Sequence, residues 1–249
     1  MQENNIDADS FVSDIVKQDY RAADVFLKYD IDFCCGGKWP LDTICKNKGL
    51  DSAEILKELH RSMRHTAASI VLEFDNWTID FLADYILNIH HRYLHKALPD
   101  ANEYVNRFLD GHRQKFPELA ELEKIMQRMM KEIPPHMKKE EEVIFPYIKQ
   151  IYHAWRHKES YASLLIRTLR KPVEEVMKGE HESVGKQLHR MREITNNYTI
   201  PANACVTHRV TFAKLRELDN NLVQHIHLEN NILFPKAIAM EKEMLKASD

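Results

Sequence analysis

Along most of the chain, apolar residues recur three and four positions apart, the period of one buried helix face. In the first sixty residues these repeats are short. Phe11, Val12, Ile15 and Val16, followed by Ala22, Val25 and Phe26, predict two short helices in SFVSDIVKQDY and RAADVFLKYD. A third is expected in PLDTICKNKG, with Pro40 at its start and Gly49 just past its end. A fourth is expected in DSAEILKELHRSM, capped by Asp51 or Ser52. DFCCGG breaks the period between the second and the third. The pattern gives a small helical domain over residues 1–60, and the polar stretch 61–77 reads as its linker.

From Thr78 the apolar stripes lengthen. TIDFLADYILNIHHRYLHKAL is amphipathic and is expected to end at Pro99. PDANEYVNRFLDGHRQKF and PELAELEKIMQRMMKEI follow as one helix or two, then HMKKEEEVIFPYIKQIYHAW, KPVEEVMKGEHESVGKQLHRMREIT and a long final segment from Asn203 to Met244. Four long amphipathic segments predict an all-α protein with a four-helix bundle over residues 78–249. Two local features complicate it. Pro134 and Pro135 directly precede His136, so a kink or restart is expected there. Residues 149–172 make one connection long, and ESYASLLIRTL is expected to add a helical turn or two. No β-hairpin signal occurs.

Composition narrows the function classes. Glycine numbers only 6 of 249 residues, which suits a helical chain. The net charge is −3 with basic residues scattered, so no nucleic-acid surface is indicated. No apolar run approaches the roughly 20 residues that span a bilayer. The start, MQENNIDADS, is polar and acidic, unlike a signal peptide, so a cytoplasmic location and no membrane partner are expected. Four cysteines do not make a disulfide framework and are expected to be thiols.

Histidine is abundant, at 14, and its placement carries chemistry. HMKKEEEVIFP and HIHLENNILFP, 89 residues apart, both place Glu four positions after His and Phe-Pro nine and ten positions after it. Residues four apart share a helix face, so His136 with Glu140, and His225 with Glu229, can each aim an imidazole and a carboxylate at one point. One such pair is commonly a surface ion pair; two copies with the same Phe-Pro offset are not easily accidental. His91 lies 45 residues before His136, and His181 lies 44 before His225. Each half of the bundle thus supplies one lone His and one His-x-x-x-Glu, four imidazoles and two carboxylates in all.

That donor set exceeds a four-coordinate structural zinc and is too rich in nitrogen for magnesium or calcium. Two iron ions fit it, each with two His, both bridged by the two Glu and by a solvent-derived oxo or hydroxo group, with an open position for a small molecule. On ligand type alone manganese competes. His90 could replace His91, although the 45/44 spacing favours the latter. His227 points about 200° round the helix from His225 and reads as off the site. His112, His189 and His208 read as buried polar or supporting groups. The Phe-Pro residues read as packing.

With these residues the chain resembles the iron–sulfur cluster repair family, also called repair-of-iron-centres proteins. KYDIDFCCGG at 28–37 is similar to the family's N-terminal signature, and the two His/Glu motifs are similar to its hemerythrin-like di-iron domain. The resemblance implies iron ligands at His91, His136, Glu140, His181, His225 and Glu229, and the family cysteines at Cys34 and Cys35. It implies a cytoplasmic di-iron protein that helps restore iron–sulfur clusters damaged by oxidative or nitrosative stress, with damaged iron–sulfur proteins as partners and a homodimer through the N-terminal domain.

Cys34 and Cys35 are adjacent and followed by two glycines. A disulfide between neighbours would be strained and easily reduced, whereas thiolates ligate iron and exchange disulfides. They read as a redox or iron-handling pair; Cys45 and Cys205 read as inert. The leading expectation is a non-enzymatic protein that holds and donates iron. The alternatives are an O2- or NO-binding sensor or carrier, or a di-iron NO reductase or peroxidase. An enzyme would want a proton donor near the open position, for which Glu180 and Tyr93 are candidates.

Overall fold

In the computed structural model, residues 6–19, 22–33, 37–63, 72–169 and 173–246 are described. Cys34 and Cys35 therefore lie outside the described residues. Contacts divide the chain into two compact units, residues 1–78 with 226–235, and residues 79–225 with 236–249. The first unit thus takes ten residues from the last long helix in addition to the N-terminal segment. Among the described residues the secondary structure is helical apart from one isolated antiparallel bridge, Phe11 to Pro40, and no helix is long and apolar enough to cross a membrane.

The first unit holds α1 (Val12–Gln18), α2 (Ala22–Lys28), α3 (Leu41–Lys48) and α4 (Ser52–Ser62). Its core is the apolar face of each: Val12, Ile15 and Val16; Ala22, Val25 and Phe26; Leu41 and Cys45; Ile55 and Leu59. Of the two candidate caps for α4, Asp51 does the capping, its carboxylate accepting from the amides of Ala53 at 2.8 Å and Glu54 at 3.4 Å. Gly49 ends α3 with a left-handed φ of 67°. Gly37 is required by a close approach. Its carbonyl accepts from the amide of Ser13 at 2.9 Å, and a β-carbon there would lie 2.4 Å from the Phe33 carbonyl oxygen and 2.9 Å from the Ser13 side chain.

From Ile79 onward the described residues form four helical rods. The first runs through α5 (Ile79–Tyr85), a π-helical turn (Ile86–His91) and α6 (Arg92–His112). The second comprises α7 (Glu121–Lys139), a π turn (Glu140–Ile144) and α8 (Phe145–Arg156). After the short α9 (Ala162–Leu169), the third is α10 (Val173–Ile194). The fourth is α11 (Val206–Leu228), a π turn (Glu229–Leu233) and α12 (Phe234–Lys246). α6 packs on α7, and α7 on α10. The ring closes where Arg192 of α10 grips Asp219 of α11 at 2.6 and 2.7 Å and the Thr211 hydroxyl of α11 donates to the Tyr104 carbonyl of α6 at 3.2 Å.

Two helix boundaries differ from the sequence expectation, for one reason. α6 continues through Pro99, and α7 through Pro134 and Pro135. Each proline removes a helix hydrogen bond, yet the apolar stripes run on past them: Leu94, Leu98, Ala101 and Val105 in α6, and Met126, Met129, Ile133 and Met137 in α7 are all buried. Continuous burial outweighs the missing amides. His136 consequently sits in the last turn of α7 rather than at a helix start. α9 supplies the two extra turns expected in the long connection.

Candidate metal centre

Six side chains from the four rods converge. His91 closes the first π turn, His136 stands one turn before Glu140, His181 lies within α10, and His225 stands one turn before Glu229. All six are buried, and both carboxylates are fully so, at 0% exposure. Their ligand atoms fall into two overlapping groups, each within 4.8 Å: His91, Glu140, His225 and Glu229, and His136, Glu140, His181 and Glu229. The imidazoles pair across the sequence halves. His91 Nε2 faces His225 Nε2 at 3.2 Å, and His136 Nε2 faces His181 Nε2 at 3.1 Å. Glu140 reaches both sides, with Oε2 at 3.5 Å from His91 Nε2 and Oε1 at 3.3 Å from His136 Nε2.

The π turns explain the repeated Phe-Pro. A π turn inserts one residue into the helical ladder and so re-aims the side chains that follow it. In the second and fourth rods it opens on the site carboxylate and hands over to α-helix at Phe145-Pro146 and Phe234-Pro235. Proline has no amide to donate, so the ladder slips most cheaply just ahead of it. The phenylalanine packs: Phe145 is 2% exposed and stacks on His91 with ring centroids 5.5 Å apart.

Around the imidazoles stand two further carboxylates: Glu141, which has no role in the sequence pattern, and Glu180, the candidate proton donor. Glu141 Oε1 lies 2.9 Å from His91 Nδ1. Glu180 Oε2 lies 2.7 Å from His136 Nδ1, and its other oxygen accepts from Lys139 at 3.1 Å. Burial resists ionisation of Glu180, but the hydrogen bonds from His136 and Lys139 outweigh it and hold the carboxyl below its usual pKa. The signal for both was available: each directly neighbours a site residue, Glu141 after Glu140 and Glu180 before His181.

The remaining candidates fall elsewhere. His90 is buried but belongs to neither ligand group; it stacks on His225 at 5.8 Å, with Tyr85 edge-on at 5.6 Å. His227 points away from the centre, its Nδ1 3.3 Å from the Phe33 carbonyl oxygen, and burial lowers its pKa to about 4. His189 is exposed beside Glu193, not a buried polar group. His208 is buried among Phe108, Phe116 and Phe212. Tyr93, the other candidate donor, belongs to neither ligand group, and its hydroxyl is pushed up to about 12 by burial and by Glu217. Cys205 is not isolated, since its sulfur lies 3.2 Å from His112 Nε2.

The donor set fits a bound metal cation. Two carboxylates withdrawn wholly from water are costly unless positive charge compensates them. Two pairs of imidazole nitrogens facing each other at hydrogen-bond distance are likewise reconciled by a cation that takes a lone pair from each. Nitrogen and carboxylate together, without thiolate, suit iron or manganese better than calcium or a structural zinc.

Comparison with known proteins finds two family models and full-length relatives. The family model ScdA_N, a domain of unknown function, matches residues 8–62, and the model described as a hemerythrin HHE cation binding domain matches residues 82–237. A probable iron-sulfur cluster repair protein of Haemophilus influenzae is 33% identical over 221 residues, 87% of this chain and 91% of that protein. The iron-sulfur cluster repair protein ScdA of Staphylococcus haemolyticus is 29% identical over 92% of this chain and 97% of its own. The iron-sulfur cluster repair protein YtfE of Escherichia coli is 32% identical over 89% of this chain and 93% of its own.

Proposed function

Because the chain belongs to the iron–sulfur cluster repair family, in which an ScdA_N domain precedes a hemerythrin HHE domain, we propose that it helps restore damaged iron–sulfur clusters by holding and donating iron. The observation that carries this reading is the pair of overlapping ligand groups, each with two imidazoles and both sharing Glu140 and Glu229. His91 with His225 would hold one iron ion and His136 with His181 the other, with the two carboxylates common to both. Iron held there supplies one-electron redox chemistry and an ion that can be handed on.

The chain's own groups do the rest. Neutral imidazoles bind without adding charge, so the two carboxylates set the negative charge of the centre. Burial of all six side chains keeps water from replacing them. The relatives' printed names support damaged iron–sulfur proteins as partners. Cys34 and Cys35 would act as a redox or iron-handling pair. The small N-terminal domain favours repair over a simple O2 or NO carrier, since a carrier needs only the bundle.

The test pairs metal analysis with repair. Anaerobically loaded protein should contain about two irons per chain and should reactivate a dehydratase whose [4Fe–4S] cluster has been damaged by peroxide or nitric oxide. A single tightly held zinc would overturn the metal assignment. Two irons without reactivation would overturn the repair role and leave a carrier.

A further inference from the structure

His91 is gripped at both ring nitrogens by consecutive residues. Glu140 Oε2 lies 3.5 Å from its Nε2, and Glu141 Oε1 lies 2.9 Å from its Nδ1. On an α-helix adjacent side chains diverge by about 100°, which would send them to different surfaces. Glu140 and Glu141 are instead the first two residues of a π turn, whose wider circle turns successive side chains by less. One carboxylate therefore enters the centre while the next reaches the outer edge of the same imidazole.

We propose that Glu141 is a positioning residue of the metal centre, which fixes the tautomer and ring orientation of His91. The proposal rests on the metal-centre reading above. An ionised carboxylate only accepts hydrogen bonds, so the nitrogen beside it must carry the proton. That leaves the Nε2 lone pair directed at His225 and Glu140. A charged acceptor also makes the imidazole a stronger donor to a metal.

Three observations separate Glu141 from an incidental surface acid. His91 is 1% exposed, so the ring has no water to orient it, whereas Glu141 is partly exposed and escapes most of the cost of burying a charge. Phe145, four residues on, stacks on the same ring, so one turn of helix supplies both the hydrogen bond and the packing wall. The arrangement recurs at the other ligand group, where Glu180 holds His136 Nδ1 at 2.7 Å; each group then has one imidazole steered by a carboxylate. His95, whose Nε2 lies 3.5 Å from the same Glu141 oxygen, meets it from the solvent side.

The test compares Glu141→Leu with Glu141→Gln. Leu removes the acceptor; Gln keeps the length and an acceptor oxygen but not the charge. Ferrous iron affinities are measured anaerobically by stepwise chelator competition, with far-ultraviolet circular dichroism to check folding. Glu141→Leu should weaken one of the two irons by about 10–100-fold and leave the other unchanged. Glu141→Gln should recover most of that loss. Proton–nitrogen correlation spectra of the zinc-loaded proteins should show an exchange-protected His91 Nδ1–H in the wild type and in Glu141→Gln but not in Glu141→Leu. Wild-type affinity for both irons in Glu141→Leu, or a Gln variant as weak as the Leu variant, would overturn the positioning role. A wild-type protein that takes up no iron would overturn the centre itself, so the two failures are distinguishable.

Discussion

Glu140 and Glu229 differ from the four histidines in that each belongs to both ligand groups. Losing a histidine weakens one position. In the proposed two-iron centre, losing either carboxylate would leave both cations with half their shared negative charge, in a buried site where repulsion is weakly screened. Glu140→Leu and Glu229→Leu should each lower iron content and remove the near-ultraviolet charge-transfer absorption while far-ultraviolet circular dichroism stays unchanged, because Leu preserves helix propensity. Two irons and an unaltered spectrum in both variants would refute the shared role. His208 gives a pH prediction of known sign. Burial, with nearby His112, Lys115 and Arg209, lowers its pKa below 6.5. The folded state therefore binds fewer protons than the unfolded state, and stability is lost as pH falls below about 6.5. Denaturation of metal-free protein at several pH values should show that loss, by at most about 1.4 kcal/mol per pH unit from this group, with a flatter dependence in His208→Phe.

At the scale of elements, the irregular turns place the chemistry. Each of the three π turns among the described residues begins or ends on a site residue, His91, Glu140 or Glu229. Periodicity cannot find them, since one inserted residue shifts the apolar stripe by less than its own width. Pro146 and Pro235 are their visible markers in the sequence, and the repeated Phe-Pro does more than pack. The prolines inside α6 and α7 teach the complementary lesson: a breaker ends a helix only where no apolar stripe spans it. Pro99 is exposed in the interior of α6. Pro99→Ala should restore an amide donor and raise the stability of the metal-free protein by about 1–3 kcal/mol, read as a higher chemical-denaturation midpoint. A lower midpoint would show that the proline sets a bend that the packing requires.

For the whole molecule, metal and fold are linked. A centre with two buried carboxylates favours the folded state when cations fill it, by about 4 kcal/mol at a thousandfold excess over the dissociation constant. Chelation should lower the melting temperature by several degrees, and a melting temperature indifferent to iron would argue against a buried centre. All six proposed ligands lie beyond residue 78, so Cys34→Ser with Cys35→Ser should retain two irons yet reactivate damaged clusters poorly. Loss of iron in that double variant would make the cysteines ligands.

The sequence by itself determined the ingredients. Helical period gave the short and long helices, scarce glycine argued against sheet, and the two His-x-x-x-Glu copies with His91 and His181 picked out six side chains, because residues one turn apart must share a face whatever the fold. Tertiary structure decided the pairing. His91 faces His225 and His136 faces His181, an arrangement set by which rods lie opposite one another across the bundle, and chain order does not encode that. It decided between His91 and His90 as members of the ligand groups, since adjacent histidines differ only in how their turn is wound. It also placed Glu141 and Glu180 behind the imidazoles. A side chain that supports another across 50 or 44 residues of sequence leaves no periodic trace, and only the packed helices bring its oxygen to the nitrogen it holds.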